Sequence, residues 1–158
     1  MCIRDRKTTV NGIEYDLMVP ARLLASDFLR DNLNLTGTHV GCEHGICGSC
    51  TIKIDGLTAR SCLKFAVQLD GKKVETVESF KEKPETRNIL EKFNAHHSLQ
   101  CGFCTPGFLM IIDELLKSKI KFSENEIREA LSGNLCRCTG YENIIKAAKE
   151  ILAQKVIK

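Results

Sequence analysis

A chain of 158 residues, 43% hydrophobic and 27% charged, has room for one ordinary domain or two small ones and is not disordered in composition. Its net charge of +3 comes without a dense lysine or arginine cluster, which argues against nucleic acid, and apolar runs such as Phe108 to Ile112 fall far short of the ~20 residues of a membrane span. Nine cysteines without an apolar signal-peptide core favour metal ligation in a cytoplasmic protein over a secreted disulfide framework.

Residues 1–6, Met-Cys-Ile-Arg-Asp-Arg, show no strand, helix or metal pattern and resemble a translated transposon-end adapter. They are expected to be a non-native leader, with Lys7 the first native residue and Cys2 ligating nothing. From Thr8 to Val19 the pattern predicts a hairpin turning at Asn11-Gly12, with Ile13, Tyr15, Leu17 and Val19 on the buried face. Arg22 to Leu33 predicts a helix presenting Leu24, Phe28 and Leu29, and Pro20 breaks the preceding strand. A glycine-rich loop with three cysteines follows, then strand Thr51-Ile54, the turn Asp55-Gly56, a returning strand, and a last strand at Val74 to Val77. These elements make a small mixed sheet packed on one helix, a ubiquitin-like β-grasp.

Glu78 to Glu85, polar around Phe80 and interrupted by Pro84, is the expected linker. Beyond it the apolar period changes from two to about 3.6. Arg87 to His97 forms one helix; Thr105 as N-cap with Pro106 at the first helical position starts a second; Ser123-x-x-Glu126 is a capping box for a third. A fourth runs from about Glu142 to Val156, with Ile144, Ile145, Ala148, Ile151 and Leu152 inward and Lys146, Lys149 and Lys155 outward. The fold class is therefore α+β, a ferredoxin-like domain over residues 7–80 followed by a four-helix bundle over residues 85–158.

Eight cysteines divide into two sets. Cys42, Cys47, Cys50 and Cys62 run C-x4-C-x2-C-x11-C, opening with the plant-type [2Fe-2S] spacing. A two-residue turn at Asp55-Gly56 sets Cys50 opposite Ser61, so the hairpin returns Cys62 to the loop. Gly41, Gly45 and Gly48 let backbone amides turn towards sulfur. Cys101, Cys104, Cys136 and Cys138 form the second set, the first two at a helix N-terminus whose dipole favours thiolate, the last two in an extended turn bracketed by Gly133 and Gly140. Two [2Fe-2S] clusters are the leading reading, and structural zinc is the competitor, above all for the second set. His39 and His44 lack the cysteine-histidine pairs of a Rieske centre and read as surface groups or groups behind the ligands; His96 and His97 read as capping or solvated. No Ser-His-Asp order, Walker loop or dinucleotide fingerprint is present.

Three segments carry a family resemblance: Gly41-Cys-Glu-His-Gly-Ile-Cys-Gly-Ser-Cys-Thr51, Gln100-Cys-Gly-Phe-Cys-Thr-Pro-Gly107 and Asn134-Leu-Cys-Arg-Cys-Thr-Gly-Tyr-Glu-Asn143. They resemble the small iron-sulfur subunit of the xanthine dehydrogenase and aerobic carbon monoxide dehydrogenase family of molybdenum hydroxylases, over nearly all of Lys7 to Ile151. The resemblance implies an electron-transfer subunit, not catalytic towards substrate alone. Its implied partners are a large subunit with molybdopterin cytosine dinucleotide and a medium subunit with FAD, in a heterotrimer or its dimer. It also implies that the Cys101, Cys104, Cys136, Cys138 cluster lies nearer molybdenum and the Cys42, Cys47, Cys50, Cys62 cluster nearer FAD. Gln100 and Cys138 match positions close to the pterin; the plainer role for Gln100 is a polar residue ending a helix. The substrate is left to the large subunit, and a free two-cluster ferredoxin and a zinc-stabilised interaction module are the alternatives.

Overall fold

Asn11 and Gly12 both take positive φ, 52° and 83°, and close a hairpin in which Val10 faces Ile13. In the computed structural model, which describes residues 3–118 and 120–153, its strands are β1 (Ile3–Val10) and β2 (Ile13–Pro20). β1 therefore begins inside the segment expected to carry no strand pattern, with Ile3 opposite Pro20 and Arg6 opposite Leu17. Once the turn sets the register, pairing needs only backbone N–H and C=O groups, so no side-chain alternation is required. Cys2 lies outside the described residues.

β1 pairs in parallel with β5 (Lys73–Glu75); β5 pairs antiparallel with β3 (Thr51–Ile54), and β3 with β4 (Leu57–Arg60), giving the order β2-β1-β5-β3-β4. At the sheet edge the expected apolar face of β2 is only partly covered: Val19 is buried, Tyr15 and Leu17 half-buried, and Ile13 exposed. The helix expected over Arg22 to Leu33 is shorter, α1 (Ala25–Asp27) continuing into a π-helical turn at Phe28–Asn32. Its first residues are taken by strand-like pairing instead: Leu24 bridges Phe65, and the Ala66 N–H donates to the Leu23 carbonyl at 2.7 Å. Phe28 and Leu29 still pack on Val10, Ile52, Leu69 and Val74 to make the first core.

The second half contains α2 (Pro84–Ala95), α3 (Thr105–Lys117), α4 (Glu124–Leu131) and α5 (Glu142–Ala153). α3 is central and is buried from Pro106 through Asp113, wider than one amphipathic stripe, because it touches the sheet as well as the other helices. Its N-cap is Cys104, with Thr105 the first helical residue, which moves the expected cap back by one. The Ser123 and Glu126 capping box is present as expected. Lys146 and Lys149 face solvent; Lys155 and Val156 lie outside the described residues. The expected linker is packed structure, because Phe80, fully buried in a 3-10 turn at Val77–Lys81, inserts into the helical core with Ile89 and Phe93. Among the described residues no helix is long and apolar enough to cross a membrane.

The halves are joined by buried charge. Lys53 on β3 is wholly buried and bonds the buried Asp113 of α3, with Glu75 3.1 Å from the same ammonium. Lys117 pairs with Asp113 at 2.9 Å and Lys83 with Glu75 at 3.0 Å, while the Thr58 N–H donates to Glu114 at 2.9 Å. Burial alone would depress the Lys53 ammonium, yet hydrogen bonding and charge from Asp113 hold it above its ordinary value. A charge this deep is tolerated only while paired, so the β3-α3 contact is geometrically demanding.

Candidate metal centres

The first cysteine loop is clamped before it reaches Cys42. Arg30 on the π turn donates to the carbonyls of Thr36 and Thr38 at 2.9 Å each, and Glu78 accepts from the Gly37 N–H at 2.8 Å. The Cys47 N–H then donates to Cys42 Sγ at 3.4 Å. Gly48 takes φ 78°, and an added Cβ would press on the Gly133 carbonyl at 2.7 Å, so this turn needs glycine both for conformation and for room. The hairpin arithmetic holds: Thr51 faces Arg60, the Ser61 N–H and hydroxyl donate to the Cys50 carbonyl at 3.2 and 2.8 Å, and Cys62 follows in a 3-10 turn at Ser61–Leu63. Cys50 and Cys62 are buried, and Cys42 and Cys47 half-buried.

The second set gathers across a longer stretch of chain. Cys101 and Cys138 are exposed with sulfurs 3.6 Å apart, whereas Cys104 and Cys136 are buried and close enough for each thiol to shift the other's ionisation. In the first set the Cys47 side chain likewise lowers Cys42, and the Cys50 side chain raises Cys62, so these thiols are also neighbours in twos. Each set is therefore two thiol pairs. Among the described residues no three His, Cys, Asp or Glu side chains meet as they would around one ion. Two pairs of sulfurs is the donor pattern of two irons that each take two thiolates, so the residues fit a [2Fe-2S] group.

Electrostatics differ within each set. Cys42 is lowered to about 6, chiefly by the Cys47 N–H. Burial pushes Cys62 up to about 11 and Cys104 up to about 12. The helix dipole expected to favour thiolate at Cys104 is thus outweighed by desolvation, and metal must displace that proton. Cys136 differs from Cys62 and Cys104: burial raises it, yet the Thr139 hydroxyl and N–H, at 3.1 and 3.5 Å from its sulfur, bring it below its ordinary value.

The two loops touch. The Leu135 N–H, next to Cys136, donates to the Cys47 carbonyl at 2.9 Å, and His39 stacks on Phe103 at 4.8 Å while bonding its carbonyl at 2.8 Å. The fully buried Asn134 lies between them, its amide oriented so that nitrogen donates to the Gly48 carbonyl at 3.3 Å and oxygen accepts from the Phe108 N–H at 2.9 Å. Gly107 lies against Gly48 so closely that a Cβ there would overlap the Gly48 carbonyl. Asn134, Gly107 and the Lys53-Asp113 pair were not singled out by sequence reasoning; the one available signal was an asparagine and a glycine beside cysteines. His44 bonds the Cys42 carbonyl at the surface, and His96 is the C-cap residue of α2, its side chain pairing with Glu150. Gln100 is exposed beside Cys101, with Leu99, Phe103 and Leu135 also exposed.

Two hydrophobic cores with eight gathered cysteines are features of an iron-sulfur protein, and comparison with known proteins agrees. A "2Fe-2S iron-sulfur cluster binding domain" matches residues 32–98 and a "[2Fe-2S] binding domain" matches residues 76–149. The chain is 53% identical over 146 residues to the caffeine dehydrogenase subunit gamma of Pseudomonas sp. (strain CBB1), covering 90% of this chain and 87% of that one. It is 48% identical over 145 residues to the nicotine 6-hydroxylase small subunit of Paenarthrobacter nicotinovorans, covering 92% and 87%. Quinoline 2-oxidoreductase from Pseudomonas putida 86 superposes with a TM-score of 0.86 at 43% identity, over 98% of this chain and 99% of that one. The chain belongs to the small iron-sulfur subunits of the xanthine dehydrogenase and aldehyde oxidoreductase family of molybdenum hydroxylases, a family of oxidoreductases.

Proposed function

We propose that the chain is the electron-transfer subunit of a molybdenum hydroxylase, linking a molybdopterin-bearing large subunit to an FAD-bearing medium subunit through two [2Fe-2S] clusters. The observation that carries this reading is the arrangement of eight thiols as four neighbouring pairs, two in each set, with the Leu135 N–H beside Cys136 bonded to the Cys47 carbonyl. When bound, the clusters supply one-electron carriers; the chain's own residues supply ligands, insulation and spacing.

Cys42, Cys47, Cys50 and Cys62 are the ligands of the cluster nearer FAD, and Cys101, Cys104, Cys136 and Cys138 those of the cluster nearer molybdenum. The exposure of Cys101 and Cys138 beside Gln100, Leu99, Phe103 and Leu135 supports a partner on that side, because an open apolar rim around labile ligands suits coverage by a subunit. Gln100 and Cys138 face the pterin, which is the cytosine dinucleotide form. The first half is a β-grasp over residues 7–80 and the second a four-helix bundle over residues 85–158. The complex is a cytoplasmic heterotrimer or its dimer.

The test is co-purification with two larger chains, iron and sulfide analysis, and EPR of the reduced complex. Two distinct [2Fe-2S] signals support the reading, and zinc without sulfide overturns it. Gln100→Ala should preserve both signals while slowing cluster reduction by substrate or lowering molybdenum content, since a lost pterin hydrogen bond costs about 0.5–1.5 kcal/mol. Because the relatives are named for caffeine, nicotine and quinoline, nitrogen heterocycles are the first substrates to assay.

A further inference from the structure

Thr139 makes both hydrogen bonds described above to Cys136 Sγ, from its N–H and from its hydroxyl. The direction of the hydroxyl proton is set by a third bond. The Tyr141 N–H donates to Thr139 Oγ1 at 3.1 Å, which occupies a lone pair and leaves the single proton for sulfur. Tyr141 holds φ 68°, a left-handed backbone that a bulky residue keeps only where its surroundings enforce it. Its hydroxyl in turn accepts the Cys136 N–H at 2.9 Å. Cys136, Thr139 and Tyr141 thus close a ring of hydrogen bonds about a thiol that is 8% exposed.

We propose that Thr139 tunes the reduction potential of the centre held by Cys101, Cys104, Cys136 and Cys138, through its hydroxyl bond to Cys136 Sγ, with Tyr141 as the positioning residue. The inference rests on the two-cluster reading above. Adding one electron to such a centre adds one negative charge, and a donor already aimed at a ligand sulfur stabilises the more negative state more than the oxidised one. Burial strengthens the effect, because water cannot replace the donor. Thr139 therefore makes this centre easier to reduce, while the first centre, whose Cys42 sulfur takes a bond from the Cys47 main chain, is outside its reach.

EPR-monitored titration of the holocomplex with dithionite as reductant, in wild type and variants, reads both midpoint potentials. Thr139→Val should lower the potential of the second centre and leave the first unchanged; Thr139→Ser, which keeps the hydroxyl, should stay at the wild-type value. Tyr141→Phe should shift the same centre in the same direction by less, since the Tyr141 N–H is retained. An unshifted second centre in Thr139→Val, or an equal shift of both centres, overturns the proposal. Thr139→Ala is the second hydroxyl-free variant, and loss of the centre in both Val and Ala forms would make Thr139 structural and overturn it too. If wild type itself shows no second [2Fe-2S] signal, the cluster reading fails, an outcome distinct from a centre that forms and does not shift.

Discussion

The two cysteine sets reach the same paired arrangement by different routes. The set from Cys42 to Cys62 is local: one clamped loop and one hairpin deliver all four sulfurs, two of them buried and two half-buried. The second set joins a helix start to a turn between two other helices, bringing Cys101 to Cys138 across 37 positions, and leaves one pair exposed while burying the other. A local site is secured by turn geometry, whereas a long-range site depends on every helix contact that fixes its halves. On the proposed function, the second set, with its exposed pair, is the one that a neighbouring subunit would cover.

Replacing a ligand tests the partition most severely. Cys50→Ala should abolish the first EPR signal and Cys104→Ala the second, each with loss of about half the iron, because each set supplies a complete group. Cys2→Ser should leave the iron content unchanged. Loss of both signals from either ligand variant would break the comparison, and so would greater chelator resistance of the second centre in the isolated chain, where exposed Cys101 and Cys138 should make it the first to be stripped.

Next in size is the buried charge between the halves. Asp113→Ala leaves Lys53 buried with Glu75 as its remaining partner and should cost about 3–5 kcal/mol in urea unfolding, whereas the Lys53→Met, Asp113→Leu double variant should recover most of that loss. Gly107→Ala should cost about 1–3 kcal/mol by forcing α3 away from Gly48, with altered line shapes in both centres, since the two loops meet there.

In metal-free protein near pH 7, alkylation followed by mass spectrometry should find Cys42 at least about tenfold faster than Cys62 or Cys104, because a thiol at about 6 is ionised there and thiols at about 11 and about 12 are not. The smallest effect expected is acidic. Burial raises Glu75, but Lys83 and Lys53 hold its carboxyl below the ordinary 4.5, so its contribution is complete above that value and lost as pH falls through the folded one. Thermal melts of Glu75→Gln should therefore differ from wild type near neutrality, by under about 1 kcal/mol, and converge with it in acid.

Much of this was readable from residues alone. Cysteine spacing, the Asn11-Gly12 and Asp55-Gly56 turns, and the Ser123-Glu126 capping box are short-range features whose geometry follows from a few neighbouring dihedrals, and each appears where expected. Together they determine the α+β class and the grouping of the cysteines. Tertiary structure decided the rest. In the sequence Lys53 is simply one residue of the strand Thr51-Ile54, and only α3 sets Asp113 against it; Phe80 reads as part of a linker until it is found in the helical core. The helix after β2 is cut short by pairing between Leu24 and Phe65, which lie far apart in the chain. The thiol ionisations were likewise hidden, because desolvation and amide direction belong to the packed loops and not to the cysteine spacing. Periodicity reports only what lies within a turn or a strand of itself, whereas burial of a charge, closure of a gap and proton affinity depend on groups brought together across the whole chain.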